Sequence, residues 1–294
     1  MKGENFRSRI RSFTDRAVTV LAILATALVV TPLVVIFGYL IFKGASSLNL
    51  DFFTKIPKPE GESGGGMANA IVGSGVLLGL ASAIGVPIGI GGGVFLAEFG
   101  RGTKLANSVR FTADVLNGVP SIVMGLAAYA LIVSPHVNFL PFLGHFSAFS
   151  GGIALGIMMI PTVCRTTEEM LLMVPHAVRE AALGLGVPNW RSVLSITLKT
   201  ASPGIITGCM LAFARVAGET APLLFTALGN SFMSTSLNQP IEALPLQIYV
   251  YALSPYDDQH RLAWAGALVL ILLIVVAVSL VRYVTSRGVL KGAS

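Results

Sequence analysis

Six runs of mostly apolar residues, each about 20 residues long or longer, alternate along the chain with shorter polar segments. The runs cover residues 17–42, 68–99, 111–133, 149–173, 200–228 and 262–284. About 20 consecutive apolar residues in a helix cross a hydrocarbon core about 30 Å thick. The pattern therefore predicts an all-α polytopic membrane protein with six transmembrane helices.

The first two runs differ from a standard crossing. The first follows a polar N-terminal tail, residues 1–16, and is longer than the apolar core of a signal peptide, which has about 7–15 residues. It predicts a retained transmembrane helix. The second run is longer than a perpendicular crossing requires, so it predicts a tilted helix, a bend at Pro87 or a start in the membrane interface.

Composition and charge agree with a membrane protein. The chain is 54% hydrophobic and 12% charged, with a mean hydropathy of +0.78, whereas soluble proteins carry about 25% charged residues. The net charge of +6 is not arranged as a basic patch interleaved with aromatic residues, which argues against nucleic-acid binding. With a cytoplasmic N-terminus, 15 of the 20 Lys and Arg residues fall in inner segments and four in outer ones. Because Lys and Arg are enriched on the cytoplasmic side, both termini are predicted to be cytoplasmic.

Enzymatic and metal-binding functions find no support in the motifs. Cys164 and Cys209 lie in or beside apolar runs and are predicted to be small buried thiols. No Gly-Lys-Ser/Thr triplet occurs, so any ATP chemistry must belong to another polypeptide, and no cofactor is expected on this chain. No metal-ligand spacing and no nucleophile–base pair is present, so neither a metal site nor catalytic residues are predicted. The four scattered histidines are His136, His145, His176 and His260.

Glycines recur at four-residue spacing inside the apolar runs. In lipid, small residues at this spacing let helix backbones approach closely. The spacing therefore predicts tight helix packing. The examples are Gly75 and Gly79, then Gly85, Gly89 and Gly93, then Gly152 and Gly156, and finally Gly204 and Gly208.

The segment between the fourth and fifth runs has the pattern of two short helices around a glycine turn. Pro175 can open the first helix, and Pro188 can open the second, since the first turn needs no N–H partner. Gly184 and Gly186 can supply the left-handed turn between them. The unit fits either a connector on the lipid headgroups, which Arg179 would suit, or a docking element for a soluble partner. Physical reasoning leaves both interpretations open.

The same segment carries the stretch EAALGLGVPNWRSVLSITL, which resembles the EAA loop of ABC importer permeases. The motif is Glu-Ala-Ala, three residues, Gly, nine residues, Ile, one residue and Leu, and the usual Pro after that Leu is Lys199 here. In these permeases the loop forms a coupling helix that sits in a groove of the cytoplasmic ATPase. The resemblance therefore assigns ATPase coupling to the first four matching positions. The matching positions are Glu180, Ala181, Ala182, Gly186, Ile196 and Leu198.

Two further stretches, GVPSIVMGL at 118–126 and ARVAGETAPLLFTAL at 214–228, resemble the A-type permease subunits of phosphate-specific transport systems. LAWAG at the start of the sixth run fits as well, and the resemblance covers roughly 68–285. It implies a type I (MetI-like) ABC importer permease fold in the bacterial inner membrane. The coupling loop would be 174–199 and the outer loop 229–260.

The resemblance also implies a set of partners. These are a second permease subunit, two ATPase subunits that bind ATP and magnesium, and a periplasmic phosphate-binding protein. The expected function is the permease subunit of an ATP-driven phosphate importer, which catalyses nothing itself. A permease for another oxyanion, sulfate or molybdate, would share the coupling loop. An ion-coupled secondary transporter would use Glu219 as a proton or cation site and would need no coupling loop.

Arg215 and Glu219 are two ionisable residues inside the fifth apolar run. Their four-residue spacing predicts that they share a helix face and can pair. Arg at the centre of a bilayer costs about 2.5–3.5 kcal/mol on insertion scales, so intramembrane Arg usually faces a path or cavity. One interpretation is a salt bridge that only satisfies Arg215. The other, which we favour, is that Arg215 lines an aqueous path and attracts an oxyanion, while Glu219 takes its charge between transport events.

Polar residues beside prolines extend the predicted substrate path. Thr220 offers a hydroxyl, and Pro222 should bend the fifth span, because it lacks the N–H that the carbonyl of Gly218 needs. In the third span, Asn117 and Ser121 flank Pro120 in the same way. For these two residues a kink packed against protein is an equal alternative.

Other polar groups are predicted to lie outside the path. Asp114 is expected to pair locally with Arg110, four residues before it. Glu98, Glu168 and Glu169 are expected to be solvated or docking residues near the cytoplasmic ends of spans.

The outer loop contains the stretch PIEALPLQIYVYAL. It predicts a helix along the outer surface that is partly available to the binding protein. Tyr249, Tyr251, Tyr256 and Trp264 would fit an interfacial aromatic belt.

Overall fold

The computed structural model describes residues 2–59, 61–62, 64–134 and 144–291, so His136 lies outside the described residues. The described chain is helical almost throughout, as expected for an all-α protein. Three π-helical turns occur in the described residues: Phe95–Phe99 and Tyr129–Val133 each end a helix, and Val193–Thr197 joins two helices. The α-helices are α1 (Lys2–Ala45), α2 (Leu50–Thr54), α3 (Ala68–Val94), α4 (Lys104–Gly118), α5 (Ser121–Ala128), α6 (Ala148–Leu172), α7 (His176–Gly184), α8 (Asn189–Ser192), α9 (Leu198–Ala217), α10 (Ala221–Thr226), α11 (Leu244–Ala252) and α12 (Asp257–Lys291).

Within the described residues, five helical segments are long and apolar enough to cross a membrane. A sixth span is obtained only by joining α4 to α5 and its π-helical turn. The chain bends by 111° between these two parts. The third predicted span is therefore not one continuous helix. Val119 is extended and Pro120 has no N–H, so the chain leaves α4 and restarts in α5. The five unbroken segments are Arg11–Ala45, Ala68–Phe99, Ala148–Leu172, Asn189–Ala217 and Asp257–Thr285.

The centre of the bundle is the contact between α3 and α6. A Cβ added to Gly85 would lie 2.7 Å from the Cβ of Met159, and one added to Gly89 would lie 2.6 Å from the Cβ of Val163. Such close approach is possible only for glycine, so these glycines set the helix separation. The prediction of tight packing is confirmed here and wrong for Gly75, which faces open space within the described chain, as does Gly79.

The direction of α3 relative to α6 determines how many times the chain crosses the membrane. Gly85 lies on Met159, Gly89 on Val163 and Gly93 on Thr167, so residue numbers rise together and the two helices are parallel. Two parallel spans require that the chain between them crosses the membrane. The bent pair α4–α5 fits this crossing as one span, and the described residues then hold six candidate spans, the number predicted.

The remaining spans differ in how deeply they are packed. Helix α9 packs against α6 and α3, and α12 packs on α11, α1 and α9. Helix α1 lies at the periphery and packs mainly on α12. Tyr39 of α1 meets Trp264 of α12 edge to face, with ring centroids 5.1 Å apart. In the second span, α3 continues without interruption through Pro87 into the π-helical turn Phe95–Phe99.

The predicted helix–glycine–helix unit is present on the side of the membrane where α6 ends. Pro175 precedes α7 and Pro188 precedes α8. Gly186 has a φ of +76°, which favours glycine, while Gly184 remains inside α7. The second helix continues through a π-helical turn into α9 without a break.

Candidate functional site

The fifth predicted span divides into two helices just after Arg215. Helix α9 ends at Ala217, and the N–H groups of Gly218 and Glu219 bond back to the carbonyls of Arg215 and Val216 at 3.2 and 3.1 Å. The chain restarts in α10, where Pro222 occupies an early position that needs no N–H partner. The expected disruption is present, but it lies a turn before Pro222. The predicted span 200–228 is thus made of two helices, α9 and α10, rather than one bent helix.

Arg215 and Glu219 are close but not tightly paired. The Arg215 Nε lies 4.0 Å from the Glu219 Oε1, beyond hydrogen-bond distance, and Glu219 stands outside α9 rather than on its face. Their side chains are 42% and 16% exposed. Within the described part of the chain, the Arg215 guanidinium makes no hydrogen bond. The salt-bridge interpretation therefore leaves five N–H donors unsatisfied.

The position of Arg215 at a helix end favours its charge. The last turn of a helix carries partial negative charge on its free carbonyls, and a cation there is stabilised by about 0.3–1 kcal/mol. Arg215 is the basic residue of the last turn of α9. The end of α9 thus stabilises the positive charge of Arg215 but does not neutralise it.

The breaks in the third and fifth spans pack against each other. A Cβ added to Gly125 of α5 would lie 2.9 Å from the Cα of Pro222 and 3.1 Å from the carbonyl oxygen of Ala221. Thr220, at the start of α10, is half-buried, and its carbonyl accepts the N–H of Leu224 at 3.1 Å. Broken helices at membrane depth are where transported solutes tend to be held.

Asn117 and Ser121 lie on either side of the break in the third span. The Asn117 Oδ1 accepts a hydrogen bond from the Thr162 hydroxyl of α6 at 3.0 Å. Ser121 is half-buried at the first position of α5. The structure records no contact between either residue and Arg215 within the described chain. Asn117 therefore joins α4 to α6, which matches the packed alternative.

A charged network that the sequence did not predict joins α4 to α6. The Arg110 Nε donates to the Glu168 Oε1 at 2.6 Å, and the Arg165 Nη1 donates to the Glu168 Oε2 at 2.8 Å. The Arg165 Nε also lies 3.0 Å from the Asp114 Oδ1. The predicted local pair of Arg110 with Asp114 is wrong, because tertiary packing offers each residue a partner on α6. The expectation of a solvated Glu168 is also wrong, since its carboxylate is buried.

A second ion pair fixes the helix that carries the EAA motif. The Arg179 Nη2 of α7 lies 2.7 Å from the Glu98 Oε1, in the π-helical turn that ends the second span. Glu98 had been expected to be solvated, and Arg179 to suit the lipid headgroups. Both side chains are instead largely buried in this ion pair. The sequence spacing of 81 residues gives no local indication of this pair.

The EAA-motif residues divide between an exposed and a buried face. Glu180 and Ala181 are exposed, whereas Ala182 is 3% exposed and packs into its own chain. Ala182 therefore cannot be a direct docking contact, and Gly186 acts through the turn it makes. Leu185 between them is 85% exposed, and other large apolar side chains between residues 172 and 194 are exposed as well. These are Leu172, Met173, Leu183, Trp190 and Leu194.

The outer loop folds back onto the helices more deeply than predicted. Helix α11 buries Leu244, Leu246 and Tyr251 against the start of α3 and against α12. The prediction that Tyr251 belongs to an interfacial aromatic belt is thus wrong. Burial raises the pKa of the Tyr251 hydroxyl. Before α11, burial also raises the pKa of the Glu242 carboxyl, although backbone N–H groups of Ala243 and Asn230 bond to it.

The surface tyrosine and thiol predictions have mixed outcomes. Tyr249, Tyr256 and Trp264 are exposed, in agreement with an interfacial position. Both cysteines are free; Cys164 is buried as predicted, and Cys209 is half-buried. The described residues contain no cluster of His, Cys, Asp or Glu that could hold a metal ion.

Comparison with known proteins gives the family. Residues 89–288 match the model of the binding-protein-dependent transport system inner membrane component family. The phosphate transport system permease protein PstA of Yersinia pestis is 46% identical over 245 residues, covering 83% of this chain and 81% of that protein. PstA of Xylella fastidiosa (strain 9a5c) is 48% identical over 255 residues, covering 84% and 86%.

More distant comparisons agree. The probable ABC transporter permease protein YqgI of Bacillus subtilis (strain 168) is 34% identical, covering 90% of this chain and 93% of that protein. A chain of the MetNI methionine ABC transporter in an inward-facing conformation matches with a TM-score of 0.54 at 18% identity, covering 76% of this chain and 96% of that chain. At this identity the match shows the fold alone. The chain therefore belongs to the family of binding-protein-dependent transport system inner membrane components and has the MetI-like ABC permease fold.

Proposed function

We propose that this chain is the permease subunit of an ATP-driven phosphate importer and forms half of its translocation path. The observation that carries the proposal is Arg215, a charged group at the break of a membrane span that its own chain leaves without a hydrogen bond. The similarity to phosphate transport permeases supports phosphate as the cargo. The planar fork of Arg suits this anion, because it can donate two parallel hydrogen bonds to phosphate oxygens.

Arg215 and Glu219 would act as a pair with two arrangements. Without cargo, Glu219 at 4.0 Å partly compensates the guanidinium. When phosphate arrives, the guanidinium binds it and the carboxylate is released. The contact must be weak, since a tight site would oppose release to the cytoplasm. Thr220 would add a hydroxyl at the path, while Asn117 and Ser121 would line it from the third span.

The partners complete the transporter. A PstC-like second permease subunit would form the other half of the path, a PstS-like periplasmic protein would deliver phosphate, and two PstB-like subunits would hold ATP and magnesium. This chain would lie in the bacterial inner membrane with both termini in the cytoplasm. It would be non-catalytic, because ATP hydrolysis belongs to the PstB-like subunits.

The cytoplasmic end of the molecule supports docking of an ATPase. Glu180, Ala181, Leu185 and Trp190 are exposed together around α7 and α8. Large apolar side chains rarely stay exposed in a group unless another protein covers them. ATP binding would draw the two coupling helices together and turn the path outward, and hydrolysis would let it reopen inward.

The test is uptake of labelled phosphate by cells that lack their own permease and carry either the wild-type chain or Arg215→Ala. Arg261→Ala, which removes an exposed cation of the outer side, is the matched control. We expect uptake with the wild type and the control, and at least about a hundredfold loss with Arg215→Ala at equal complex assembly. Normal uptake by the variant would make Arg215 a structural charge.

The same assay separates the alternatives. If the wild-type chain with its proper partners takes up sulfate or molybdate and no phosphate, the cargo is another oxyanion. If uptake persists after the ATPase subunits are deleted, the chain is a secondary transporter and the proposal fails.

A further inference from the structure

In the described part of the chain, one guanidinium makes the side-chain hydrogen bonds between the helix of the EAA motif and the ends of two membrane spans. The Arg179 Nε and Nη2 donate to the Glu98 Oε1 at 3.1 and 2.7 Å. The same Nη2 donates to the carbonyl of Leu171 at 2.7 Å, and the Nη1 donates to the carbonyl of Val174 at 2.7 Å. Arg179 therefore uses all three of its nitrogens within the protein.

These acceptors belong to different elements. Glu98 lies in the π-helical turn after α3, Leu171 lies in the last turn of α6, and Val174 follows that helix. Carbonyls at a helix end lack intrahelical donors, and a cation there is favoured by the helix dipole. Arg179 thus joins α7 to the end of α3 and to the end of α6.

The joint is buried and lies on an apolar base. The side chains of Arg179 and Glu98 are only 12% and 10% exposed. Beneath them, Ala97, Leu171 and Val174 form a buried cluster with residues of α9, and Val178 of α7 packs on it. A buried ion pair has few alternative partners and loses little to salt, so it holds one geometry.

The position of the joint determines which helices a movement of α7 can reach. Apart from this joint, α7 packs mainly on α8 and the π-helical turn that begins the fifth span. Helices α3 and α6, in contrast, pack on each other more extensively than any other pair in the described chain. A displacement of α7 can therefore reach the end of α3 through Arg179, while it reaches α6 also through the short connection 173–175 and α9 through the segment after α7.

We propose that the Arg179–Glu98 pair is the mechanical joint that makes the EAA helix α7 move as one body with α3 and α6. The inference rests on the proposed function, in which an ATPase moves α7. Without the joint, α7 can rotate or shift about the short connection 173–175 when the ATPase moves it, and less of that movement reaches the α3–α6 unit. ATP hydrolysis then continues without opening the path.

The primary test measures the distance between α7 and α3 in the complete complex with its ATPase subunits. Spin labels are placed at Gly91→Cys of α3 and Ala177→Cys of α7, both exposed, in a background with Cys164 and Cys209 replaced by alanine. The label separation is compared between nucleotide-free and ATP-bound complexes. We expect one unchanged separation with the wild-type pair and a nucleotide-dependent change with Arg179→Gln.

The second readout is phosphate moved per ATP hydrolysed in proteoliposomes. Arg179→Gln should lower this ratio about tenfold while ATP hydrolysis persists, in the range of typical coupling between sites. If Arg179→Gln does not assemble, Glu98→Gln, which keeps the side-chain shape, replaces it and should also lower the ratio. Arg101→Gln is the matched control, since Arg101 bonds only to the Ala97 carbonyl at the same helix end, and its ratio should be unchanged.

The outcomes are distinct. An unchanged ratio and an unchanged label separation in the assembled variants would overturn the proposal. Loss of assembly with both glutamine variants would also overturn it, because the pair would then be needed only for folding. If the wild-type complex moves no phosphate, the proposed function fails, while the label separation still tests the joint.

Discussion

The guanidinium groups of Arg179 and Arg215 differ in how completely their own chain satisfies them. Arg179 makes four hydrogen bonds to three acceptors. Within the described residues, Arg215 has only the Glu219 carboxylate, 4.0 Å away. A buried or intramembrane charge must be compensated by its chain, a partner, water or a solute. Arg179 is therefore satisfied by its own chain, and Arg215 is free to act on something outside this chain.

Glu242 is a residue whose charge works against the fold. Burial raises the pKa of its carboxyl above the ordinary 4.5, more than the two backbone hydrogen bonds lower it. Because the folded pKa exceeds the unfolded one, Glu242 contributes stability below about pH 4.5, and this contribution is lost as pH rises through the folded pKa. The neutral form is thus the one that the outer loop favours.

The Glu242→Gln variant should therefore have a higher Tm than the wild type at pH 7, and this advantage should shrink as pH falls toward 4.5. The measurement is the Tm of the purified complex in detergent between pH 4.5 and 7.5, where the difference between variant and wild type isolates Glu242 from other carboxyls. A difference that is constant with pH, or one that grows toward acid, contradicts the assignment.

The long helices follow from the sequence because the bilayer itself sets their length. A disruption near Pro222 was predicted, but its position is set by Gly218, which closes α9 before the chain reaches the proline. Helix propensity alone does not determine which of the two residues ends the helix. The pairs Arg179–Glu98 and Arg165–Asp114 could not be foreseen. They depend on which helices are neighbours, and apolar periodicity does not encode this. Tyr251 was misplaced for the same reason, since α11 is covered by other helices.

Two glycines of α3 allow a test of how much the close contact between α3 and α6 contributes to stability. Gly89→Ala should destabilise the complex by about 1–3 kcal/mol, because overpacking a tight contact forces backbone shifts, and its new Cβ would lie 2.6 Å from the Cβ of Val163. Gly91→Ala on the same helix meets open space and should be neutral or stabilising by up to about 1 kcal/mol, as Ala is the better helix former. Thermal unfolding in detergent compares the two. Equal Tm values would show that α3 and α6 can separate without cost.

At the scale of the whole molecule, the parallel arrangement of α3 and α6 and the distribution of basic residues lead to the same orientation. Parallel packing requires the bent third span to cross, and the excess of Lys and Arg then falls on the side where α7 projects. Leu185 precedes the fifth span and Arg215 lies in the last turn of α9, so in the proposed orientation the two would face opposite sides of the membrane. The first would meet an ATPase, and the second would meet the cargo.

Cysteine labelling tests this orientation, because a re-entrant third segment would reverse everything that follows it. In a background without Cys164 and Cys209, we expect a membrane-impermeant maleimide to label Thr235→Cys in intact spheroplasts. It should reach Lys104→Cys and Ala177→Cys only after permeabilisation, and all three positions are exposed. A re-entrant segment would leave Lys104→Cys inside but exchange the other two. Since α7 must lie in the cytoplasm to meet an ATPase, labelling of Ala177→Cys in intact spheroplasts would also remove the basis for the Arg179–Glu98 joint.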